Sequence, residues 1–358
     1  MRLGVFLNQH SAVPVAVAAE QLGYGLALVP EGYRCDAVSV LGAVAARTSR
    51  IGLGSGVMQI PARTPVLTAL TASTLDSMSA GRFRLGLGVS NPDVSAGWYG
   101  VPFDAPLRRT REYVEVVRLA LSGAPVRYHG RHYRLGEADA AQLAGPTPAR
   151  LPIYLAGVGP RSQELAGEIG DGWVGVFSSP QQVAEALDRL RAGRRAAGAG
   201  EPGDRLAGFE VLLSVPIGVG DDLLAAAQPL RHYFANFIGL GSAERSIYHR
   251  LAVRMGFGEA ASQIRAHLRA GDRAAAAAAV PFELIDATSL VGPVSRIAPR
   301  LAEYRAAGVT TLGLTLLAPS VEDQLATVRA AAAALARSSS RLLPPGRSLA
   351  AAQSSKET

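Results

Sequence analysis

The feature that most constrains the fold of this chain is a repeated alternation of short apolar runs with longer amphipathic segments. The apolar runs predict strands at residues 2–7, 25–30, 51–57, 83–89, 152–156, 173–177, 208–217 and 310–316. Most of the intervening segments have helical periodicity, and Pro65 suits the first turn of one such helix. Strands that alternate with helices imply βαβ units and a parallel sheet. Eight such units favour the α/β class, as a closed (β/α)₈ TIM barrel rather than a doubly wound sheet.

Two parts of the chain fall outside this repeat. Residues 128–150 are polar and punctuated by glycine and proline, which predicts a loop before the fifth strand. Residues 221–281 predict a helical insertion before the last βα unit. From position 338 the chain is rich in serine, proline and arginine, so we expect a disordered tail at 338–358. The prediction is one barrel domain, 1–337, that contains the insertion.

Composition excludes several classes of protein. The chain has one cysteine, Cys35, and no Cys/His spacing typical of a metal site, so we expect neither an internal disulfide nor a bound metal. Its one lysine is Lys356, in the tail, so Schiff-base chemistry lacks its residue. The net charge of +7 comes almost entirely from arginines spread along helices. This pattern indicates solvated helix faces rather than a nucleic-acid site, although arginine also suits an anionic ligand.

The sequence also argues against a membrane protein. No apolar run reaches the roughly 18 residues of a membrane-spanning helix. Polar Asn8, Gln9 and His10 end the N-terminal apolar run before it could serve as a signal peptide. We therefore expect a cytoplasmic protein that binds neither membrane nor nucleic acid.

In a (β/α)₈ barrel, ligands bind where the strands end and the following loops begin. Among the residues at these points, Glu31 is an acid that could orient a cofactor or supply a proton. The alternative for Glu31 is a rim carboxylate paired with Arg34. The full set of strand-end candidates is Asn8, Gln9, His10, Glu31, Gly32, Gly56, Val57, Met58, Gln59, Ser90, Asn91, Gly157, Val158, Gly159, Phe177 and Ser178.

Glycines are concentrated at the predicted strand ends. Gly56 is predicted to allow the close approach of a ligand, whereas Gly86 is predicted to relieve crowding inside the barrel. Residues 155–161 have the pattern of a strand, a glycine turn and a helix start, where free N–H groups and the helix dipole can hold a phosphate. The turn differs from the GxGxxG of dinucleotide-binding folds, because Ser162 stands where the third glycine would be.

Three stretches of the chain carry a family resemblance: EGYRCD at 31–36, RIGLGSGVMQIPARTP at 50–65 and TLDSMSAGRFRLGLGVS at 74–90. They resemble the luciferase-like monooxygenase superfamily, and most of all its coenzyme F420-dependent branch from actinobacteria. Further matching stretches lie at 97–100, 109–114, 152–156, 165–173, 251–257 and 290–293. The resemblance therefore covers nearly the whole chain, up to about position 336.

The resemblance implies a deazaflavin, coenzyme F420, lying across the C-terminal mouth of the barrel. It implies a non-proline cis peptide at Gly56–Val57 behind the central ring of the cofactor, and a phosphate contact at the 157–159 turn. The residues expected to bind the cofactor are Gly56, Val57, Met58, Val89, Ser90, Ala156, Gly157, Val158, Gly159 and Pro160.

The implied reaction is hydride transfer between C5 of the deazaflavin and an organic substrate, with reduction of the substrate as the expected direction. Glu31 is the predicted catalytic residue, facing the reacting centre. Asn8, Gln59, Asn91 and Trp98 are the predicted substrate contacts. The expected substrate is a small molecule or a peptide, and the resemblance also implies a homodimer.

One departure from the family pattern bears on the mechanism. Many F420-dependent members have an Asp–His pair after the second strand, whereas this chain has Glu31–Gly32. The acid is retained and the imidazole is absent, so we do not expect a histidine-based proton relay at this place. Two alternatives stay open: a monooxygenase that uses reduced FMN and oxygen, with FMN as the cofactor, and a barrel that binds cofactor without catalysis.

Overall fold

The computed structural model describes residues 1–340 except residues 34, 146–147, 149, 202 and 243–245. Arg34 and the tail segment 341–358 therefore lie outside the described residues. The strands, in chain order, are β1 (Arg2–Phe6), β2 (Leu26–Val29), β3 (Gly52–Ser55), β4 (Met58–Gln59), β5 (Phe83–Gly88), β6 (Tyr128–His129), β7 (Arg134–Leu135), β8 (Ile153–Ala156), β9 (Gly172–Val176), β10 (Glu210–Val219), β11 (Leu290–Gly292) and β12 (Thr311–Leu316).

The α-helices connect these strands, with one short 3₁₀ helix at Ile60–Ala62. In chain order they are α1 (Ala12–Gln21), α2 (Ala37–Ala45), α3 (Pro65–Met78), α4 (Pro92–Gly97), α5 (Pro106–Leu121), α6 (Pro160–Ile169), α7 (Pro180–Ala196), α8 (Leu223–Gly239), α9 (Ile247–Arg254), α10 (Gly258–Arg269), α11 (Arg273–Ala278), α12 (Phe282–Thr288), α13 (Val294–Ala306) and α14 (Val321–Ser340).

Parallel strands close into a barrel in the order β10, β12, β1, β2, β3, β5, β8, β9 and back to β10. This closure confirms the predicted (β/α)₈ fold. Strands β3 and β4 both pair with β5: β3 with its first part and β4 with its last part. The chain between them, Gly56–Val57, therefore bulges out of the ladder at the C-terminal end of the barrel.

Side chains of the barrel strands alternate between two cores, as the pleat of a strand requires. Leu3 and Val5 of β1 face outward into the large core between strands and helices. Phe6 faces inward and packs with Leu28 and Leu212 in the barrel interior. The interior is therefore filled by side chains below the mouth, and ligands have access only from the strand ends.

Capping residues fix where the helices begin at the mouth. Thr64 accepts a hydrogen bond from Leu67 N, and Pro65 is the first residue of α3. Ser179 and Gln182 form a reciprocal capping box at the start of α7. Because these caps end the loops firmly, the residues after each strand hold definite positions.

The predicted helical insertion corresponds to α8–α12, between β10 and β11. Its own core, which includes Leu230 and Phe234, packs against Phe177 at the end of β9. The insertion therefore covers the side of the mouth that β9, β10 and β12 form. The domain limits stay a prediction, and α14 continues to Ser340, past the predicted end at 337.

No helix in the described part of the chain has both the length and the apolar character needed to cross a membrane. The cytoplasmic location stays a prediction.

Candidate functional site

The Gly56–Val57 peptide bond at the end of β3 is cis, which confirms the prediction for this bond. Backbone hydrogen bonds hold the bulge on both sides: Gly56 N donates to Val29 O at 2.8 Å, and Glu31 N donates to Val57 O at 3.2 Å. A Cβ at position 56 would lie 2.6 Å from Phe6 Cε1. Glycine is therefore required at this position because the interior ring of Phe6 occupies the space.

The Val57 side chain lies over a surface made of small residues. A Cβ added at Gly88 would be 2.8 Å from Val57 Cγ2 and 3.5 Å from Ala156 Cβ. Val57 and Ala156 are both partly exposed, so they form the floor of the open mouth. Gly86 lies deeper, where an added Cβ would meet Ser55 O at 2.1 Å, which agrees with the packing role predicted for it.

The carboxylate of Glu31 forms hydrogen bonds and an ion pair within the protein. Arg63 Nη2 donates to Glu31 Oε1 at 2.9 Å, and Gln59 N donates to Oε2 at 3.1 Å. The Glu31 side chain is 6% exposed, and Arg63 also pairs with Asp36. Burial opposes the charge of Arg63, but the hydrogen bonds and charges of Glu31 and Asp36 outweigh it and raise the Arg63 pKa. This arrangement favours a positioning role for Glu31 over the predicted catalytic one.

Gln59 and Gly32 complete this side of the mouth. Gln59 Nε2 donates to Glu31 O at 3.1 Å, while its Oε1 is buried and has no hydrogen-bond partner among the described residues. A Cβ added at Gly32 would meet nothing closer than Gln59 Nε2, at 3.9 Å. The place where relatives are expected to carry an imidazole is therefore open space in this chain.

The side chains of two predicted substrate contacts accept hydrogen bonds from nearby backbone N–H groups. Asn8 Oδ1 accepts hydrogen bonds from His10 N and Ser11 N, and Asn91 Oδ1 accepts them from Asp93 N and Val94 N. Side chains of this type commonly bond to nearby backbone and so shape a loop. Their amide oxygens are therefore occupied. The Asn8 amide nitrogen also donates to Gln324 Oε1 at 3.4 Å, which leaves the amide nitrogen of Asn91 for a ligand.

Trp98, another predicted substrate contact, is exposed at the rim. Its ring makes an edge-to-face contact with Tyr33, with centroids 5.2 Å apart. Tyr33 belongs to the loop after β2 and Trp98 ends α4, so this contact joins two loops of the mouth. Ser90, at the end of the β5 segment, has a φ of 64°, an uncommon conformation for a residue other than glycine.

The 157–159 turn lies after β8, on the same face of the barrel as the bulge. Trp173 Nε1 donates to Gly157 O at 2.7 Å, and Ser162 Oγ donates to Gly159 O at 2.7 Å. Gly159 is the N-cap of α6 and makes no side-chain capping bond. A Cβ at Gly159 would make only ordinary van der Waals contacts, with Ser162 Oγ at 3.7 Å and Ile247 Cδ1 at 3.8 Å, so a side chain can be accommodated there.

The opposite wall of the mouth carries hydroxyl groups that the sequence analysis missed. Ser214 of β10 and Thr315 of β12 face inward, and their hydroxyl oxygens are 3.0 Å apart. The Tyr233 hydroxyl, from α8, faces both of them. Its ring stacks on Phe177 with centroids 5.6 Å apart. The available signal was two hydroxyl residues at inward positions, Ser214 in the middle of β10 and Thr315 next to the last residue of β12.

The described residues contain no group of three His, Cys, Asp or Glu side chains that could hold a metal ion.

A closed parallel barrel with this bulge and a helical insertion over one side of its mouth has the architecture of the luciferase-type barrels. The model of the luciferase-like monooxygenase family matches residues 7–311, so the chain belongs to that family, as its motifs predict.

Two relatives match most of the chain. A protein of Mycobacterium tuberculosis, provisionally named a coenzyme F420-dependent oxidoreductase, is 34% identical over 346 residues, covering 92% of this chain and 99% of its own length. The 5,10-methylenetetrahydromethanopterin reductase of Archaeoglobus fulgidus is 30% identical over 298 residues, covering 82% of this chain and 85% of its own. The solved coenzyme F420-dependent tetrahydromethanopterin reductase of Methanopyrus kandleri has a TM-score of 0.78 at 25% identity, over 91% of this chain and 96% of that one.

Proposed function

We propose that this protein is a coenzyme F420-dependent oxidoreductase that transfers a hydride between the deazaflavin and an organic substrate, in the direction of substrate reduction. The observation that carries the proposal is the presence, in one mouth, of the Gly56–Val57 bulge and the uncapped start of α6. Relatives named for F420 cover nearly the whole length of the chain, which supports the same cofactor here.

The shape and polarity of the mouth fit a flat ring that carries a phosphate. Val57, Gly88 and Ala156 make a low apolar floor on which a planar ring can lie. The turn at Gly157–Gly159 leads into α6, where the positive end of the helix dipole favours an anion. A planar apolar body and an anionic arm therefore both have a complementary surface.

The residues proposed to hold the cofactor contribute in different ways. Gly56, Val57 and Ala156 would support the ring, and the turn would hold the phosphate. Met58 is only 1% exposed, so it can contribute its backbone alone. The remaining proposed contacts line the edges of the same mouth: Val89, Ser90, Gly157, Val158, Gly159 and Pro160.

The chain's own residues position and shield the reaction. When bound, the deazaflavin would supply the hydride, and the barrel would supply orientation and electrostatics. Glu31 and Arg63 hold the bulge against the loop after β2, through Gln59 N and the Arg63 guanidinium. Trp98 and Tyr33 flank the entrance, where an organic small molecule or a peptide would pass.

Titration of the purified protein with F420 and with FMN, followed by fluorescence, tests the choice of cofactor. The proposal expects saturable binding of F420 that is at least about tenfold tighter than that of FMN, a difference of about 1.4 kcal/mol. Tighter FMN binding with oxygen-dependent turnover would replace the proposal with a monooxygenase. Binding of neither compound would remove its basis.

We also propose a homodimer, and the outer face of α3 supports it. Leu67, Leu70 and Met78 lie on one stripe of this helix and are 46%, 50% and 56% exposed. A row of large apolar side chains on one helix face is a typical contact surface.

A further inference from the structure

We propose that the hydroxyl groups of Tyr233, Ser214 and Thr315 bind a carbonyl oxygen of the substrate, and that Tyr233 donates the proton that this oxygen takes up on reduction. The inference rests on the proposed function, because it assumes that the hydride comes from a deazaflavin in the same mouth. It assigns the substrate to the carbonyl compounds, including α,β-unsaturated ones.

The order of the strands places this cluster across the mouth from the bulge. Along the closed barrel, β10 is the fourth strand from β3 in either direction, so it lies diametrically opposite β3. Ser214 is on β10 and Thr315 on the adjacent β12, in the register that pairs Thr315 with Phe6 of the interior. A ring lying against Val57 therefore has its free side towards the hydroxyl cluster, with room for substrate between them.

Several other polar groups on the mouth are already engaged by the protein itself. Both carboxylate oxygens of Glu31 accept hydrogen bonds, and the amide oxygens of Asn8 and Asn91 cap their own loops. Ser214 and Thr315, in contrast, bond to each other, the Tyr233 hydroxyl faces both, and each hydroxyl can donate as well as accept. They can therefore donate hydrogen bonds to a substrate oxygen without breaking a contact that the fold needs.

The surroundings of Tyr233 keep its hydroxyl in place and protonated. Its ring stacks on Phe177 and contacts Phe237 and Phe234 at centroid distances of 4.7 Å and 5.8 Å. Burial among these rings raises the pKa of Tyr233 above its ordinary value. Phe177 itself has a φ of 53°, in the left-handed region, so the surrounding packing holds it against local strain. Such strain is common at ligand sites.

The proposed step transfers one hydride and one proton to the substrate. A hydride, carrying two electrons, leaves the reduced deazaflavin and forms a new C–H bond at the carbonyl carbon, or at the β carbon of an unsaturated carbonyl compound. The π electrons move to the carbonyl oxygen, which takes the proton from the Tyr233 hydroxyl. The resulting phenolate regains a proton from water through the Ser214 and Thr315 hydroxyls. On oxidation the deazaflavin would release its ring N–H proton to water, which replaces the proton that water supplied, and the carbonyl compound is reduced by one hydride and one proton.

The first test measures binding and needs no turnover. The probe is 4-(dimethylamino)cinnamaldehyde, whose absorption moves to longer wavelength when its carbonyl oxygen accepts a hydrogen bond, added to protein saturated with oxidised F420. We expect a red shift in the wild type that is lost in Tyr233→Phe and reduced in Thr315→Val. Tyr248→Phe is the matched control, because it removes a hydroxyl from the same aromatic cluster and should keep the shift.

The second test measures turnover with F420H₂ and a series of ketones, aldehydes and enones under anaerobic conditions. Loss of a proton donor lowers rates by about 10²–10⁴-fold, so kcat of Tyr233→Phe should fall by at least about 100-fold while KM changes little. The Kd for F420 should stay within about twofold, since the ring of Tyr233 is retained.

The outcomes separate the two proposals. If the wild type does not bind F420, the proposed function fails. If it binds F420 but the dye shows no red shift, or Tyr233→Phe shows the same shift as the wild type, only the carbonyl site is overturned.

Discussion

Position 56 shows how tightly the bulge is specified at the scale of one residue. In Gly56→Ala the new methyl would lie 2.6 Å from Phe6 Cε1 and 3.1 Å from Leu28 Cβ, both fixed in the barrel interior. Overpacking of this kind costs about 1–3 kcal/mol, so we expect a lower free energy of unfolding and weaker F420 binding. Gly32→Ala is the control, since its Cβ has no neighbour closer than 3.9 Å. Equal denaturant midpoints for the two variants would contradict this explanation.

A substitution of Glu31 distinguishes a positioning role of its carboxylate from a catalytic role. Glu31→Gln keeps the size of the side chain but removes the charge that Arg63 faces in a largely buried setting. Removing one partner of a buried pair costs about 3–5 kcal/mol, and less here because Asp36 still pairs with Arg63. We expect a lower melting temperature with at least about a tenth of kcat retained, well short of the loss of about 10²–10⁴-fold that removal of an essential proton donor causes. Full stability with kcat abolished would restore the predicted catalytic role.

At the scale of elements, the hydrophobic periodicity and the glycine and proline residues between segments predicted most of the barrel. The helix predicted to begin at Pro65 is observed as Pro65–Met78, because proline and the Thr64 cap mark its start. β4 and β11 were not predicted, since strands of two and three residues are too short to show a period.

The site was predicted less completely than the barrel. The family motif located the Gly56–Val57 bulge, but the partner of Glu31, Arg63, is 32 residues away in sequence. Tyr233, Ser214 and Thr315 come from three separate elements, so only the closed fold brings their hydroxyls together. The substrate contacts of Asn8 and Asn91 stay predictions, although Asn91 before Pro92 has the pattern of a helix start and is the N-cap of α4.

The start of α6 allows a test of the proposed phosphate contact. Gly159 has a φ of −86°, which any residue can adopt, and aspartate is a favourable N-cap. In Gly159→Asp the carboxylate should bond to the first N–H groups of α6 and repel a phosphate. We expect F420 affinity to fall by at least about tenfold, or 1.4 kcal/mol, with unchanged or higher thermal stability. Affinity for the deazaflavin chromophore without its phosphate arm should not change. An equal loss for both ligands would place the phosphate elsewhere.

At the scale of the whole molecule, the barrel and its insertion contribute different surfaces to the mouth. The ends of β3 and β8 carry the floor and the 157–159 turn proposed to hold the phosphate, and both strands belong to the barrel repeat. The opposite wall combines barrel hydroxyls with rings from α8 and α9, so the insertion determines its shape. Cofactor binding should therefore depend chiefly on the repeat, and substrate choice on the insertion.

The outer face of α3 is the proposed interface of the homodimer. Leu70→Lys places a charge in the middle of the exposed stripe that also includes Leu67 and Met78, and burying that charge in a dimer would be costly. Light scattering after size exclusion should show a wild-type dimer and a Leu70→Lys monomer. Leu224→Lys is the control, because Leu224 is 60% exposed on α8, outside the stripe, and should leave the dimer intact. A monomeric wild type, or a Leu70→Lys protein that remains dimeric, would show that α3 is not the interface. The F420 affinity of the monomer should equal that of the dimer, because all of the proposed cofactor contacts come from one chain.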